Sequence, residues 1–240
     1  MPAGNIAAFG AEHAVATHGK RRDLFELCTG YTLILLVIWT PTPWQRWLYW
    51  LAIIFIVAAT WRSFDGRAAM GFGATNLLRS LWVPGLALLG AVFAIAAAWH
   101  FHTLRPWHGP IELIQRFWGY ALWAFAQQFL LLDFFLLRLL RLLQKAGLAS
   151  ITAAAIFALA HLPNPILTPA TFVFGLASCA LFLSYRNIYP LAVAHAVLGI
   201  CLAITLPGPV THNMRVGLGY LTYRPDHVHH RHMHTSLQPY

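Results

Sequence analysis

The sequence predicts an all-α integral membrane protein, a polytopic transmembrane bundle with about seven spans. Apolar residues make up 59% of the 240 residues and charged residues only 10%, whereas a soluble domain has about 25% charged residues. A soluble fold needs polar side chains to cover its surface, and this chain has too few of them. A bilayer removes that requirement, because lipid tails are themselves apolar. The ten tryptophans and eight tyrosines suit helices that are anchored at two membrane interfaces.

Seven apolar segments approach the length of about 20 residues that a spanning helix needs. They run over residues 24–39, 47–61, 81–99, 117–140, 151–162, 169–185 and 189–206. The first and the fifth are short, so we expect them to tilt, to thin the bilayer or to enter it only partly. The chain therefore divides into a polar N-terminal segment over 1–23, a transmembrane bundle over 24–206 and a histidine-rich extramembrane tail over 207–240.

The net charge of +9 does not indicate a nucleic-acid-binding protein, because the basic residues lie singly at the ends of apolar segments. Most of them fall on one side of the bundle when the N-terminus is placed in the cytoplasm. The sequence therefore predicts a multi-pass protein of the cell membrane with a cytoplasmic N-terminus. The three cysteines lie within apolar segments, which favours small buried side chains over a disulfide framework.

A few polar side chains lie inside the predicted spans, where polar groups are costly and indicate function, and four of them are candidates for one site. Gln127 and Gln128 are adjacent in the fourth segment, His161 ends the fifth, and His195 lies in the seventh. A single residue of this kind is more often a helix–helix hydrogen bond or a satisfied core histidine. On three facing helices, however, the four side chains can converge on one polar pocket. Asp133 lies on another face of the fourth helix, and we expect it to be protonated or paired with an arginine such as Arg138.

The glutamine pair, Phe157-x-x-x-His161 and His195 follow one another in an order and spacing that resemble the CAAX-protease and bacteriocin-processing (CPBP) family of intramembrane proteases. The resemblance covers about residues 117–206. It implies the helical core of that family, with a polar pocket inside the membrane. It also implies that the glutamine pair and the two histidines occupy the positions of catalytic residues.

Two motifs depart from the family pattern. In its first motif the family has a glutamate pair followed by an arginine, whereas this chain has the glutamine pair and Leu132 at those positions. The third motif of the family ends in Asn or Asp, whereas this chain has Gly199 there. In the family, glutamate and histidine activate water, but a carboxamide has no useful basicity near neutral pH. We therefore expect a repurposed or pseudo-protease that binds a lipidated, transmembrane or isoprenoid-like ligand.

Three alternatives remain open. The first is an active intramembrane endopeptidase that works through His161 and His195. The second is a membrane enzyme that acts on a lipid in the same pocket, and the third is a scaffold that binds transmembrane partners without chemistry. Membrane lipids and a lipidated or transmembrane peptide are the expected partners in each case, and the sequence does not determine the oligomeric state.

We expect no cofactor and no metal in the core, because His161 and His195 lack the further ligands that a metal site needs. The end of the tail is different, since it carries five closely spaced histidines: His227, His229, His230, His232 and His234. They are dense enough to bind Zn²⁺, Ni²⁺ or Cu²⁺. An exposed segment with incidental metal affinity is the favoured interpretation.

Overall fold

A computed structural model describes residues 19–105 and 109–224. Within these ranges the chain is helical and contains no strand, so the all-α prediction is confirmed. The helices are α1 Lys20–Trp39, α2 Trp44–Arg62, α3 Leu77–Ser80, α4 Trp82–His100, α5 Pro110–Phe129, a π-helix Leu130–Leu136, α6 Leu137–Leu143, α7 Ala146–Leu159, α8 Leu167–Tyr185, α9 Tyr189–Thr205, α10 Gly208–Thr211, a 3₁₀ turn His212–Met214 and α11 Gly217–Leu221.

Three helical stretches of the described chain are long and apolar enough to cross a membrane: Leu77–His100, Ile114–Leu143 and Leu167–Tyr185. Ala146–Leu159 and Tyr189–Thr205 are apolar but shorter. Many large apolar side chains on the outside of the bundle are exposed, as lipid-facing residues are. An integral membrane protein is therefore indicated, and the count of seven spans stays a prediction.

The helix boundaries differ from the predicted ones where polar or small residues extend a helix. α1 begins at Lys20, inside the predicted polar segment, and α7 begins at Ala146 rather than at 151. Hydropathy marks the apolar part of a helix and misses polar turns at its ends. The part of the tail up to residue 224 forms short helical turns, and α11 packs against α1.

The centre of the bundle is the continuous helix formed by α5, the π-helix and α6. Every residue from Leu131 to Leu136 is buried, and this π-helix contacts α2, α7 and α8. A π-helix changes the angular spacing of side chains, and such turns occur frequently at functional sites. This one begins two residues after Gln128.

Small residues allow α7 and α8 to pack closely. Ala149, Ala153 and Ala154 are fully buried on α7, and a Cβ added to Gly175 of α8 would lie 3.4 Å from the Ala154 Cα atom. Small side chains let helix backbones approach each other in a membrane, where dispersion contacts drive association. This contact fixes the end of α7, which leads into His161.

Replacing Gly175 with leucine is expected to lower the midpoint temperature of thermal unfolding in detergent. The larger side chain would overpack the α7–α8 contact, at a cost of about 1–3 kcal/mol. Gly85→Leu in α4 is the matched control, because a Cβ there meets nothing within 4 Å and leucine is the better helix former. Equal midpoints for the two variants would contradict the close contact.

A buried ion pair joins α1 to α6. Nη2 of Arg138 lies 2.8 Å from Oε2 of Glu26, and both residues are buried. Arg138 also donates hydrogen bonds to Oγ of Ser63 and to the carbonyl oxygen of Phe134. One turn later, Arg141 pairs with Asp23 at 2.8 Å. These pairs connect the first helix to the central helix.

Of the two alternatives predicted for Asp133, protonation or pairing with an arginine such as Arg138, the pairing with Arg138 is wrong. The two residues are five positions apart, whereas side chains three or four positions apart are neighbours on a helix. Arg138 is instead bound to Glu26. Asp133 is buried, and its two carboxylate oxygens have no hydrogen-bond partner among the described residues.

Candidate functional site

Gln127 and His161 form the first half of the candidate site. Nδ1 of His161 lies 2.7 Å from the carbonyl oxygen of Phe157. A carbonyl oxygen can only accept, so Nδ1 carries the proton of the neutral ring and Nε2 is the acceptor. Nε2 of Gln127 lies 3.4 Å from this atom, which orients the amide so that it donates to His161.

Gln128 and His195 form the second half. Nε2 of Gln128 lies 3.2 Å from Nδ1 of His195, so the amide donates to Nδ1 and the ring proton lies on Nε2. Gln128 is fully buried, and its Oε1 has no hydrogen-bond partner in the described part of the chain. The His195 ring packs against Phe157 and Phe174, with centroid distances of 6.0 Å and 4.9 Å.

The two histidines therefore differ in what they offer. In the neutral rings, Nε2 of His161 is a hydrogen-bond acceptor already approached by an amide, and Nε2 of His195 is a donor. The structure brings the four candidate residues together as two amide–imidazole pairs. Their role in catalysis is not tested by this arrangement and stays a prediction.

Asn164 holds the turn that carries His161, and the sequence analysis did not assign it a role. Its Oδ1 accepts hydrogen bonds from the backbone N–H groups of Ile166 and Leu167 at the start of α8. Its Nδ2 donates to the carbonyl oxygens of Thr211 and Arg215. An asparagine between two prolines, just before a helix, is a turn signal that could have identified it.

The site faces a cavity of about 1050 Å³. Its lining is mainly apolar and comes from α1, α2, α4, α5, the π-helix, α7, α8 and α9, together with Met214 and Val216 from the tail. Gln127, His161 and His195 lie on its wall, and Gln128 lies behind His195. Ligand pockets in proteins typically measure about 300–1,000 Å³, so this cavity has room for a large ligand.

No aspartate or glutamate of the described residues lines this cavity. Asp23 and Glu26 pair with arginines of α6. Glu112 lies 15 residues before Gln127 on α5, which is about 22 Å along the helix axis. The polar groups that reach the cavity wall from the candidate site are therefore amides and imidazoles.

Within the described residues, no three His, Cys, Asp or Glu side chains are grouped so that they could hold a metal ion. The expectation of a core without metal is not tested by this and stays a prediction. The histidines from His227 to His234 lie outside the described residues.

The family model described as type II CAAX prenyl endopeptidase Rce1-like matches residues 130–201. This segment of the chain is similar to that family. The resemblance to the CPBP family is thereby confirmed, and the matched segment runs from the π-helix into α9 and includes His161 and His195. It begins two residues after Gln128, so the match does not extend to the glutamine pair. No curated protein and no solved structure matches the chain.

Proposed function

We propose that this protein binds a long hydrocarbon chain carrying a polar end group in its membrane cavity, and that it does not cleave peptides by glutamate chemistry. The observation that carries the proposal is the pairing of both site histidines with glutamine amides, on the wall of an apolar cavity to which the described residues contribute no carboxylate. The polar pocket expected for the family is thus retained with neutral groups. The protein is a repurposed or pseudo-protease in this proposal.

The reaction of a glutamate protease needs a base that takes a proton from water. An amide oxygen is too weakly basic for this, and the amide nitrogen is a donor. The acceptor nitrogen of His161, Nε2, is in contact with the amide of Gln127. In His195, Nδ1 accepts from Gln128, and the other ring nitrogen, Nε2, carries a proton and is a donor. Neither presents an unengaged base to water in this arrangement.

The cavity supports a ligand with a long apolar part. Its volume of about 1050 Å³ lies at the upper end of the range of about 300–1,000 Å³ that is typical of ligand pockets. A prenyl chain with a few residues of peptide, or a lipid chain with its linkage, has this size. The name of the matched family, CAAX prenyl endopeptidase, supports a prenylated segment as the first ligand to test.

A second candidate is an endopeptidase that uses His161 as the base. The contact between Gln127 and His161 is long for a hydrogen bond, at 3.4 Å. A substrate that draws the amide away would release Nε2 of His161 to accept a proton from water.

We also propose that the N-terminus lies in the cytoplasm, because this orientation places most of the basic residues on the cytoplasmic side of the bundle.

The test is a cleavage and binding assay on the full chain reconstituted in liposomes. We expect mass spectrometry to show that prenylated and transmembrane peptides remain intact. The amount of cleavage product formed by the unmodified protein should equal that formed by the His161→Ala and His195→Ala variants. A photoreactive farnesylated peptide is expected to label the protein in competition with its unlabelled form. Ala170→Trp, which fills the cavity wall, should reduce this labelling at least tenfold.

Cleavage by the unmodified protein that disappears in both alanine variants would overturn the pseudo-protease proposal and establish the histidine endopeptidase. Labelling that Ala170→Trp leaves unchanged would place the ligand outside the cavity. The Gln127→Glu/Gln128→Glu variant is tested alongside, because cleavage by it alone would identify the missing carboxylates as the reason for inactivity.

A further inference from the structure

Tyr120 of α5 directs its hydroxyl group at Gly199 of α9, which packs beside α5. A Cβ added to Gly199 would overlap the Tyr120 hydroxyl and would lie within 2.7 Å of two carbons of its ring. The phenol group of Tyr120 therefore occupies the space that the side chain of any residue other than glycine would need at position 199. The absence of a side chain at Gly199 is what allows the hydroxyl to lie there.

Both residues line the cavity, on the same wall as the candidate site. Tyr120 is seven residues, or about two turns, before Gln127, which places the two on one face of α5. Gly199 is one turn after His195 on α9, about 6 Å along the axis. The Tyr120 hydroxyl thus lies beside the part of the cavity that contains the donor nitrogen of His195.

The hydroxyl of Tyr120 has no hydrogen-bond partner among the described residues. Tyr120 is only partly buried, and its hydroxyl is not among the fully buried side-chain atoms that lack a partner, so the hydroxyl is accessible from the cavity and free to bind a ligand there. The nearby wall offers it none. A polar group of a bound ligand is a partner that the cavity can supply.

We propose that Tyr120 is a ligand-binding residue whose hydroxyl donates a hydrogen bond to a carbonyl oxygen of the bound ligand, and that Gly199 is the position that seats it. This rests on the proposed function and narrows the ligand to a long-chain ester or amide rather than a plain hydrocarbon. The Nε2–H group of His195 is a second donor on the same wall. Two donors, with no carboxylate among the described lining residues, suit a neutral acceptor.

The experiment compares two photoreactive probes with the same farnesyl chain, one carrying a methyl amide and the other a hydrogen atom in its place. The full chain in liposomes should bind the amide about tenfold more tightly, since the net contribution of a hydrogen bond is on the order of that factor. Tyr120→Phe should reduce this preference to about threefold or less and leave the hydrocarbon probe unchanged. Gly199→Ala should do the same by displacing the ring.

Tyr185→Phe is the matched control, because it removes a phenolic hydroxyl that accepts a hydrogen bond from Trp82 outside the cavity. It should keep the full preference for the amide. If Tyr120→Phe keeps that preference, or weakens both probes equally, the hydroxyl does not bind the ligand and the inference is wrong. If the unmodified protein binds both probes equally, the inference fails while the proposed function stands; if it binds neither, the proposed function fails with it.

Discussion

Replacing Arg138 with methionine is expected to destabilise the folded protein by about 3–5 kcal/mol, the range measured when one partner of a buried ion pair is removed. Arg138 is 1% exposed and Glu26 is 5% exposed, so water cannot take the place of the guanidinium. The substitution leaves the carboxylate of Glu26 with Arg22, whose Nε lies farther away, at 3.4 Å. It also removes the donors to Ser63 and to the carbonyl of Phe134.

The measurement is unfolding of the purified protein in mixed micelles, followed by tryptophan fluorescence. The Glu26→Gln/Arg138→Met double variant is the control, because it removes the buried carboxylate together with the guanidinium that pairs with it. We expect it to recover most of the loss, since replacing a whole buried pair costs far less than breaking it. A double variant no more stable than Arg138→Met would show that Glu26 contributes little through its charge.

The sequence indicated the helices and the candidate site residues because both leave a local signal. Each apolar segment is continuous along the chain, and a glutamine pair or a histidine within it stands out. The ion pair between Glu26 and Arg138 leaves no such signal, because the partners are 112 positions apart and each resembles a charge at a membrane interface. Pairings of this kind depend on how the helices pack.

Tyr120 and Gly199 show the same limit at the cavity. A tyrosine near the end of an apolar segment resembles an interfacial anchor, and a glycine at the end of the third motif resembles a simple loss. Their relation appears only when α5 and α9 are placed side by side. The π-helix could not be predicted from the sequence either, because six apolar residues around Asp133 have no periodicity that separates a π turn from an α turn.

Substituting Asn164 is expected to release the tail segment from the bundle and to open one end of the cavity. The side chain of Asn164 is fully buried and makes four hydrogen bonds to backbone groups. Asn164→Ala removes them all, at about 1–3 kcal/mol for each buried group that finds no other partner. Met214 and Val216 line the cavity, so loss of the tether should expose the cavity to solvent.

The Asn164→Asp variant distinguishes the two functions of this side chain, which are to cap the start of α8 and to hold the tail segment. A carboxylate keeps an oxygen for the N–H groups that begin α8, but it has no donor for the carbonyl oxygens of Thr211 and Arg215. Hydrogen exchange by mass spectrometry should therefore rise at least tenfold over residues 208–221 in both variants, and at the start of α8 only in Asn164→Ala. Labelling of a cysteine introduced at Met214 by a maleimide should accelerate in parallel.

Asn187→Ala is the matched control for this prediction. Asn187 is buried in the same way, and it joins the start of α9 to the carbonyl oxygens of Gly73 and Thr75. Its loss should raise exchange around residues 73–75 and leave 208–221 unchanged, because it makes no hydrogen bond to the tail. If Asn164→Asp leaves exchange over 208–221 at its original rate, the remaining contacts, such as the hydrogen bond from the Gly217 N–H to the Leu162 carbonyl oxygen, are sufficient to hold the segment. The cavity would then be closed by main-chain contacts, and Asn164 would serve only the start of α8.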